Sequence, residues 1–195
     1  MTREVTVLYE GRDYVIVNKP AGVLSEAGNG ENMCSMLKEA LGREVYPVHR
    51  LDRDVSGVMI YALSSKAAGM LSAAEYEKEY IAETKKAPES DAGVMEDLLF
   101  HDGQTNKTFV VKKERKGVKK AVLSYNVEEK GDGYCRIRLR LGTGRTHQIR
   151  VQLASRGMPI TGDGKYGGGS GELRLTSVKL SFTDPFDGEK KVFGI

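Results

Sequence analysis

Hydrophobic and polar positions alternate with two different periods along the chain, and the alternation divides it into short elements. VTVLY at 5 to 9 and YVIVN at 14 to 18 read as strands, followed by a turn at Lys19-Pro20-Ala21-Gly22. In NMCSMLKEAL, residues 32 to 41, Met33, Met36, Leu37 and Leu41 share one helical face, and Gly42 supplies a stop. The apolar run GVMIYAL, 57 to 63, predicts a buried strand, after which Ser64 or Ser65 caps a second helix to about Glu77. KEYIAET at 78 to 84 returns to a strand pattern, and the polar stretch 85 to 95 reads as a surface connection. The second half is mostly β: 107 to 113, 120 to 129 and 134 to 141, then a short helix at 147 to 157 and a late strand at 172 to 182. Strands and helices are interspersed without a βαβ rhythm, which predicts an α+β fold: a mixed, mainly antiparallel sheet with flanking helices.

Length and composition narrow this reading. A chain of 195 residues is expected to form a single domain over 1–195 and to bury a core without disulfides or metal. The 23 glycines point to tight turns and close backbone approaches. Cys34 and Cys135 could form one bridge at most, and neither they nor the 3 histidines fall at zinc-ligand spacing, so no metal is expected. The amino terminus carries no signal-peptide pattern, and the longest apolar run is far short of the ~20 residues that span a membrane. The expected compartment is the cytoplasm.

The formal charge of +3 decides little, but its placement matters. Seven basic residues and one acid lie between Lys107 and Lys120, and six arginines with no acid between Arg136 and Arg156. In YCRIRLRL, Cys135, Ile137, Leu139 and Leu141 alternate with Tyr134, Arg136, Arg138 and Arg140, predicting one apolar and one basic face. Clustered positive charge suits a polyanion, arginine pairs with phosphate through two hydrogen bonds, and Tyr80, Tyr125, Tyr134 and Tyr166 offer rings for unpaired bases. A merely solvated surface would show the same composition.

Two segments concentrate chemistry. His49-Arg50-Leu51-Asp52-Arg53-Asp54-Val55-Ser56-Gly57 gathers carboxylates, guanidiniums, an imidazole and a hydroxyl before a buried strand. Its Asp52 is a candidate nucleophile or base, and a loop-tethering salt-bridge cluster is the alternative. Gly142-Thr143-Gly144-Arg145-Thr146-His147-Gln148-Ile149-Arg150 leads from the arginine strand into a helix, where exposed amides would favour an anion; it lacks the Walker ending. A third turn, 159 to 167, carries Asp163 in a structural setting. No Ser-His-Asp order suggests an acyl-transfer triad.

Taken in order, YVIVNKPAG (14 to 22), HRLDRDVSG (49 to 57), KEYIA (78 to 82) and GRTHQIRVQLASRGMPITGDGKYG (144 to 167) resemble the RluA-type family of RNA pseudouridine synthases over nearly the whole chain. The resemblance implies the pseudouridine synthase catalytic-domain fold and an isomerase. It would act on uridine in ribosomal or transfer RNA after base flipping, with no cofactor. It further implies that Asp52 is the catalytic aspartate, that Tyr80 stacks on the flipped uracil, and that Arg145 pairs with the catalytic carboxylate. Arg50 would enter the stack that the uridine leaves, at a few kcal/mol of unstacking. Leu51 would anchor the loop, and Ile149 and Leu153 would line the pocket. Several relatives carry an N-terminal S4 RNA-binding domain, for which the first strand leaves no room here. Target choice is then expected to rest on the lysine run, Lys112 and Lys113 included, and on Arg136, Arg138 and Arg140. A monomer without an obligate protein partner is expected.

The chain departs from the family pattern at Val55 (usually Thr), at Gln152 (commonly His) and after Ala82, where ETKKAPES replaces an expected glycine. Two other readings compete. A non-catalytic RNA-binding or folding factor on the same scaffold would bind RNA without turnover. A glycoside hydrolase would require a second catalytic carboxylate, for which Asp54 is the local candidate.

Overall fold

The computed structural model describes residues 5–195. In chain order the elements are β1 (Thr6–Glu10), β2 (Tyr14–Lys19), α1 (Met33–Leu41), β3 (Tyr46–Pro47), β4 (Ser56–Ala62), α2 (Ser65–Ser72) and β5 (Tyr76–Thr84). They continue with β6 (Ala92–Asp102), β7 (Lys107–Val111), β8 (Val118–Gly131), β9 (Tyr134–Leu141), α3 (Gln148–Ala154), β10 (Leu175–Thr183) and β11 (Lys190–Gly194). The chain divides into two compact units, one made of the residues up to Lys78 together with Thr176–Ile195, the other of Glu79–Leu175.

In the first unit the strand order is β1-β2-β4-β10, with β11 added to β10 and β3 to β4. β4 pairs antiparallel with β2, from Tyr14 opposite Ala62 to Lys19 opposite Gly57, and parallel with β10. Residues 57 to 62 are all buried, as expected for a strand covered on both faces. One of those faces packs Val58, Ile60 and Ala62 with Tyr14, Ile16, Leu180 and Phe182 against Ala67 and Leu71 of α2. Gly57 is dictated by its surroundings: its φ is +118°, and a Cβ there would lie 2.1 Å from the Ser177 carbonyl oxygen. The α1 boundaries follow the sequence signals, since the Asn32 side chain accepts from the Ser35 amide and Gly42 closes the helix in the left-handed conformation.

In the second unit the order is β5-β9-β8-β6-β7, antiparallel throughout. β9 occupies the expected residues, and Cys135, Ile137 and Leu139 are fully buried. α3 is buried along almost its whole length, with Val151 packed against Leu99, Ala121 and the Tyr166 ring.

Several boundaries differ from expectation. The second helix stops at Ser72 rather than near Glu77, because Tyr76 and Lys78 belong to β5 and Tyr76 donates its hydroxyl proton back to the Leu71 carbonyl. β6 lies largely inside the stretch read as a connection from 85 to 95 or left unassigned, and β11 follows the last expected strand. The third helix covers 148 to 154 rather than 147 to 157.

Candidate active site

The first unit presents the Asp52 loop, and its backbone is fixed from three directions. Leu51 is buried, and Ser25 brackets it: the Leu51 amide donates to Ser25 Oγ (3.0 Å) while that hydroxyl donates to the Leu51 carbonyl (2.7 Å). Ser25 is itself held by Tyr61, whose hydroxyl donates to the Ser25 carbonyl at 2.7 Å. Lys19, with no exposed surface, donates from Nζ to the carbonyls of Val23 (2.7 Å), Pro20 (2.9 Å) and Arg53 (2.9 Å). A buried ammonium is tolerated only where its charge and protons are met, so these contacts tie the Lys-Pro-Ala-Gly turn to the residue after Asp52. The tie is doubled by Arg53, whose Nε donates to the Gly22 carbonyl (2.9 Å) while the Gly22 amide donates to Arg53 (2.9 Å).

Within that frame the Val55 amide donates to the Asp52 carbonyl (3.1 Å), which closes the turn and leaves Asp52 half-buried with Arg50, Arg53 and Asp54 exposed. Among the described residues the guanidinium of Arg50 has only a long pairing with Glu26, at 3.9 Å. His49, one turn of chain earlier, differs from its neighbours. Both ring nitrogens are out of contact with solvent and lack a hydrogen-bond partner among the described residues, and the ring leans on Tyr76 with centroids 6.0 Å apart. Burial, with the charge of Lys78 adding to it, pushes the His49 pKa well below its ordinary value, so this imidazole is neutral.

The second unit holds the remaining residues singled out in the sequence. Tyr80 is buried on β5, opposite Leu139 of β9. Arg145 is exposed, and its Nε donates to the Lys120 carbonyl at 3.1 Å. In the turn before α3, where exposed amides were expected, the side chain of Gln148 already takes one of them. Gln148 Oε1 accepts from the Arg145 amide (3.0 Å) and from Thr143 Oγ (2.8 Å), and Gln148 Nε2 donates to the Val122 carbonyl (3.1 Å). His147 enters α3 in the left-handed conformation, φ 54°, and is held there by a 2.9 Å hydrogen bond between Nδ1 and the Tyr166 hydroxyl, which also accepts from the Thr108 amide at 2.8 Å. Arg150 and Asp163 form a buried two-point pair, both contacts at 2.8 Å, beneath the Tyr166 ring. Ile149 and Leu153 are buried, and Val55 is buried in the first unit. Gln152, where the family pattern has His, reaches Asp97 at 2.7 Å from Nε2.

The basic surfaces differ in kind. Lys112 and Lys113 are exposed just beyond β7. Arg136, Arg138 and Arg140 do project from one face of β9, but that face is not bare positive charge. Arg138 donates to Glu128 (2.5 Å) and Glu79 (3.1 Å), Arg136 to Glu128 (3.2 Å) and Arg140 to Glu79 (3.2 Å). The sequence reading missed Lys19, Ser25 and Gln148. The signal for Lys19 was a lysine ending an otherwise apolar strand; Ser25 and Gln148 act through contacts distant in sequence or local to one turn and carried no signal.

Among the described residues no helix is long and apolar enough to cross a membrane. Nor do three or more His, Cys, Asp or Glu side chains gather there as metal ligands.

The mixed, mainly antiparallel sheet with three helices is the pseudouridine synthase fold. The structure titled human RNA pseudouridylate synthase domain containing 1 superposes with a TM-score of 0.81 at 22% identity, covering 98% of this chain and 83% of that one. Sequence comparison carries the assignment from fold to family. The family model described as RNA pseudouridylate synthase matches residues 13–155. A tRNA pseudouridine synthase C of Vibrio parahaemolyticus is 30% identical over 97% of this chain and 89% of its own length. A ribosomal large subunit pseudouridine synthase D of Borreliella burgdorferi is 31% identical over 90% of this chain, which spans 59% of that relative's length. The chain belongs to the RNA pseudouridylate synthase family, in its RluA-type branch.

Proposed function

We propose that this chain is an RNA pseudouridine synthase and that residues 1–195 act as a single catalytic domain on uridine in ribosomal or transfer RNA. The reaction breaks the bond from uracil N1 to ribose C1′, rotates the base and rejoins it through C5. N1 gains a proton, C5 loses one, and nothing is oxidised, so the chemistry needs no cofactor. It asks for a precisely held carboxylate and for a target base out of its stack.

The observation that carries this reading is the Asp52 loop: at the family's catalytic position stands a half-buried aspartate whose flanking backbone is fixed by Lys19, Ser25 and Arg53. Attack on C1′, addition to C6 and removal of the 2′ proton all require a carboxylate at that point. Tyr80 and Arg145 stand at the family's uracil-stacking tyrosine and its active-site arginine, and both are assigned to the same chemistry. The exposed Arg50 takes the place of the flipped uridine in the stack, on a loop anchored by Leu51. Ile149 and Leu153 contribute the apolar wall, and Lys112, Lys113 and the β9 arginines contact the RNA backbone. The enzyme works as a monomer in the cytoplasm, without an obligate protein partner.

Asp52→Asn is the deciding variant. With RNA tritiated at uridine C5, the unaltered protein should release tritium, whereas the variant should release none while its RNA affinity stays within about twofold, roughly 0.4 kcal/mol. Substantial turnover by the variant would overturn the assignment.

A further inference from the structure

The segment after Ala82, which departs from the family pattern, forms part of a cavity of about 350 Å³ in the second unit, lined by Lys85, Lys86, Pro159, Gly167, Gly168 and Gly169 among others. Its walls are fixed locally. Thr84 is buried and donates its hydroxyl proton to the Lys86 carbonyl (2.8 Å), turning the chain as β5 ends. The Thr161 amide donates to the Glu83 carbonyl at 2.8 Å, which fastens the loop after α3 alongside. Gly168 is obligatory for packing, since a Cβ there would meet the Ile160 carbonyl oxygen at 1.7 Å.

Gly167 and Gly169 are different. Their φ angles are +92° and +86°, and a Cβ at either would have nothing within 4 Å. Among the described residues their amides donate to no protein acceptor. The amide between them, that of Gly168, donates to the Asp163 carbonyl at 2.8 Å, so the amides of Gly167 and Gly169 are the two in this run left for an anion.

The electrostatics point the same way. Lys85 and Lys86 are exposed, and neither forms an ion pair among the described residues. No carboxylate lines the cavity. Of the acids near these segments, Glu83 and Glu172 pair with Arg174, Asp91 with Lys130 and Asp163 with Arg150, while the exposed Glu89 does not line the cavity. The cavity is therefore bordered by two lysines that form no ion pair among the described residues and by two glycine amides with no protein acceptor, and its charge is less offset than that of the β9 arginine face.

We propose that this cavity seats a phosphodiester group of the RNA substrate, on a nucleotide other than the one modified. Lys85 lies five positions after Tyr80, about 17 Å along an extended chain, farther than a nucleotide's own phosphate lies from its base. This inference rests on the RNA-modifying reading above. It adds a contact that depends on two lysines in the segment that departs from the family pattern.

The test compares the unaltered protein with Lys85→Ala/Lys86→Ala and with Lys85→Arg/Lys86→Arg, each titrated with a short uridine-containing RNA hairpin from low to moderate salt. The alanine pair should bind roughly tenfold more weakly at low salt. Its slope of log affinity against log salt should be shallower by about one, the loss of one phosphate contact. The arginine pair should keep the original slope, and turnover of the alanine pair at saturating RNA should be unchanged. A slope that the alanine pair leaves unaltered would overturn the proposal. So would amide signals of Gly167 and Gly169 that shift with inorganic phosphate but not with the hairpin, since the seat would then serve a free anion. Tritium release by the unaltered protein is read in the same samples. If it is absent, the enzymatic reading fails; if it is present and the slopes agree, only the phosphate seat fails.

Discussion

Lys78 shows how one side chain can tie stability to pH. Burial pulls its pKa down from 10.5 to about 8, so the folded protein releases this proton before the unfolded chain does. Below pH 8 both states are protonated and the folded state bears the full cost of a buried ammonium. Between pH 8 and 10.5 the unfolded state binds more protons, and stability rises with pH; above that interval the cost is gone. Urea unfolding at pH 7 and pH 11 should show Lys78→Met to be more stable than the unaltered protein by on the order of 2 kcal/mol at the lower pH and nearly equal to it at the higher. Equal stabilities at both values would mean that the ammonium is solvated. The cost is not evident from KEYIA in the sequence, where Lys78 reads as a solvent-facing strand residue. Leu51 was legible as an anchor because an apolar residue among charged ones has one favourable place to go.

At the scale of the elements, local signals were read well where a single rule dominates. The alternation in 134 to 141 gave β9 with its ends, and Asn32 and Gly42 gave both ends of α1. Prediction failed where tertiary pairing overrides pattern. AGVMEDLLFHD has no clean period of two, yet it is a strand because β7 and β8 take up its backbone hydrogen bonds on both sides. The close approach of β4 to β10 gives a sharp test of what the last residue of the HRLDRDVSG segment contributes. Gly57→Ala puts a methyl group 2.1 Å from the Ser177 carbonyl oxygen at a φ that side chains avoid, and thermal unfolding should show a loss of more than about 3 kcal/mol. A loss below 1 kcal/mol would show that the two strands can part at little cost.

For the molecule as a whole, the informative contrast is between charge counted along the sequence and charge met in space. Six arginines in 136 to 156 appear unopposed in the sequence, but Glu79 and Glu128, on β5 and β8, neutralise much of the β9 face. Neither acid falls within the arginine segment, so no local pattern could have revealed the pairing. If the face meets RNA, these carboxylates weaken the contact. Glu128→Gln should then steepen the salt dependence of RNA binding by about one and tighten binding at low salt several-fold, as measured by fluorescence anisotropy. No change would place Arg136 and Arg138 away from the nucleic acid. The candidate site was legible to the extent that its chemistry lies in contiguous motifs, as with Asp52 and Arg145. The supports that hold those motifs, Lys19 under Arg53 and Gln148 under Arg145, were not.

The division of the chain has a consequence for its birth on the ribosome. The second unit is one unbroken stretch, whereas the first needs both the residues up to Lys78 and Thr176–Ile195. β4 therefore leaves the exit tunnel with β2 already made but with its parallel neighbour β10 not yet translated. At ordinary elongation rates that interval lasts roughly 6 to 23 s. For that time β3 can pair with β4 only at Tyr61 and Ala62, while on that edge the Ser56–Gly57 end, next to the Asp52 loop, has no strand beside it, and a nascent-chain chaperone or a slow codon near residue 78 would act on this exposure.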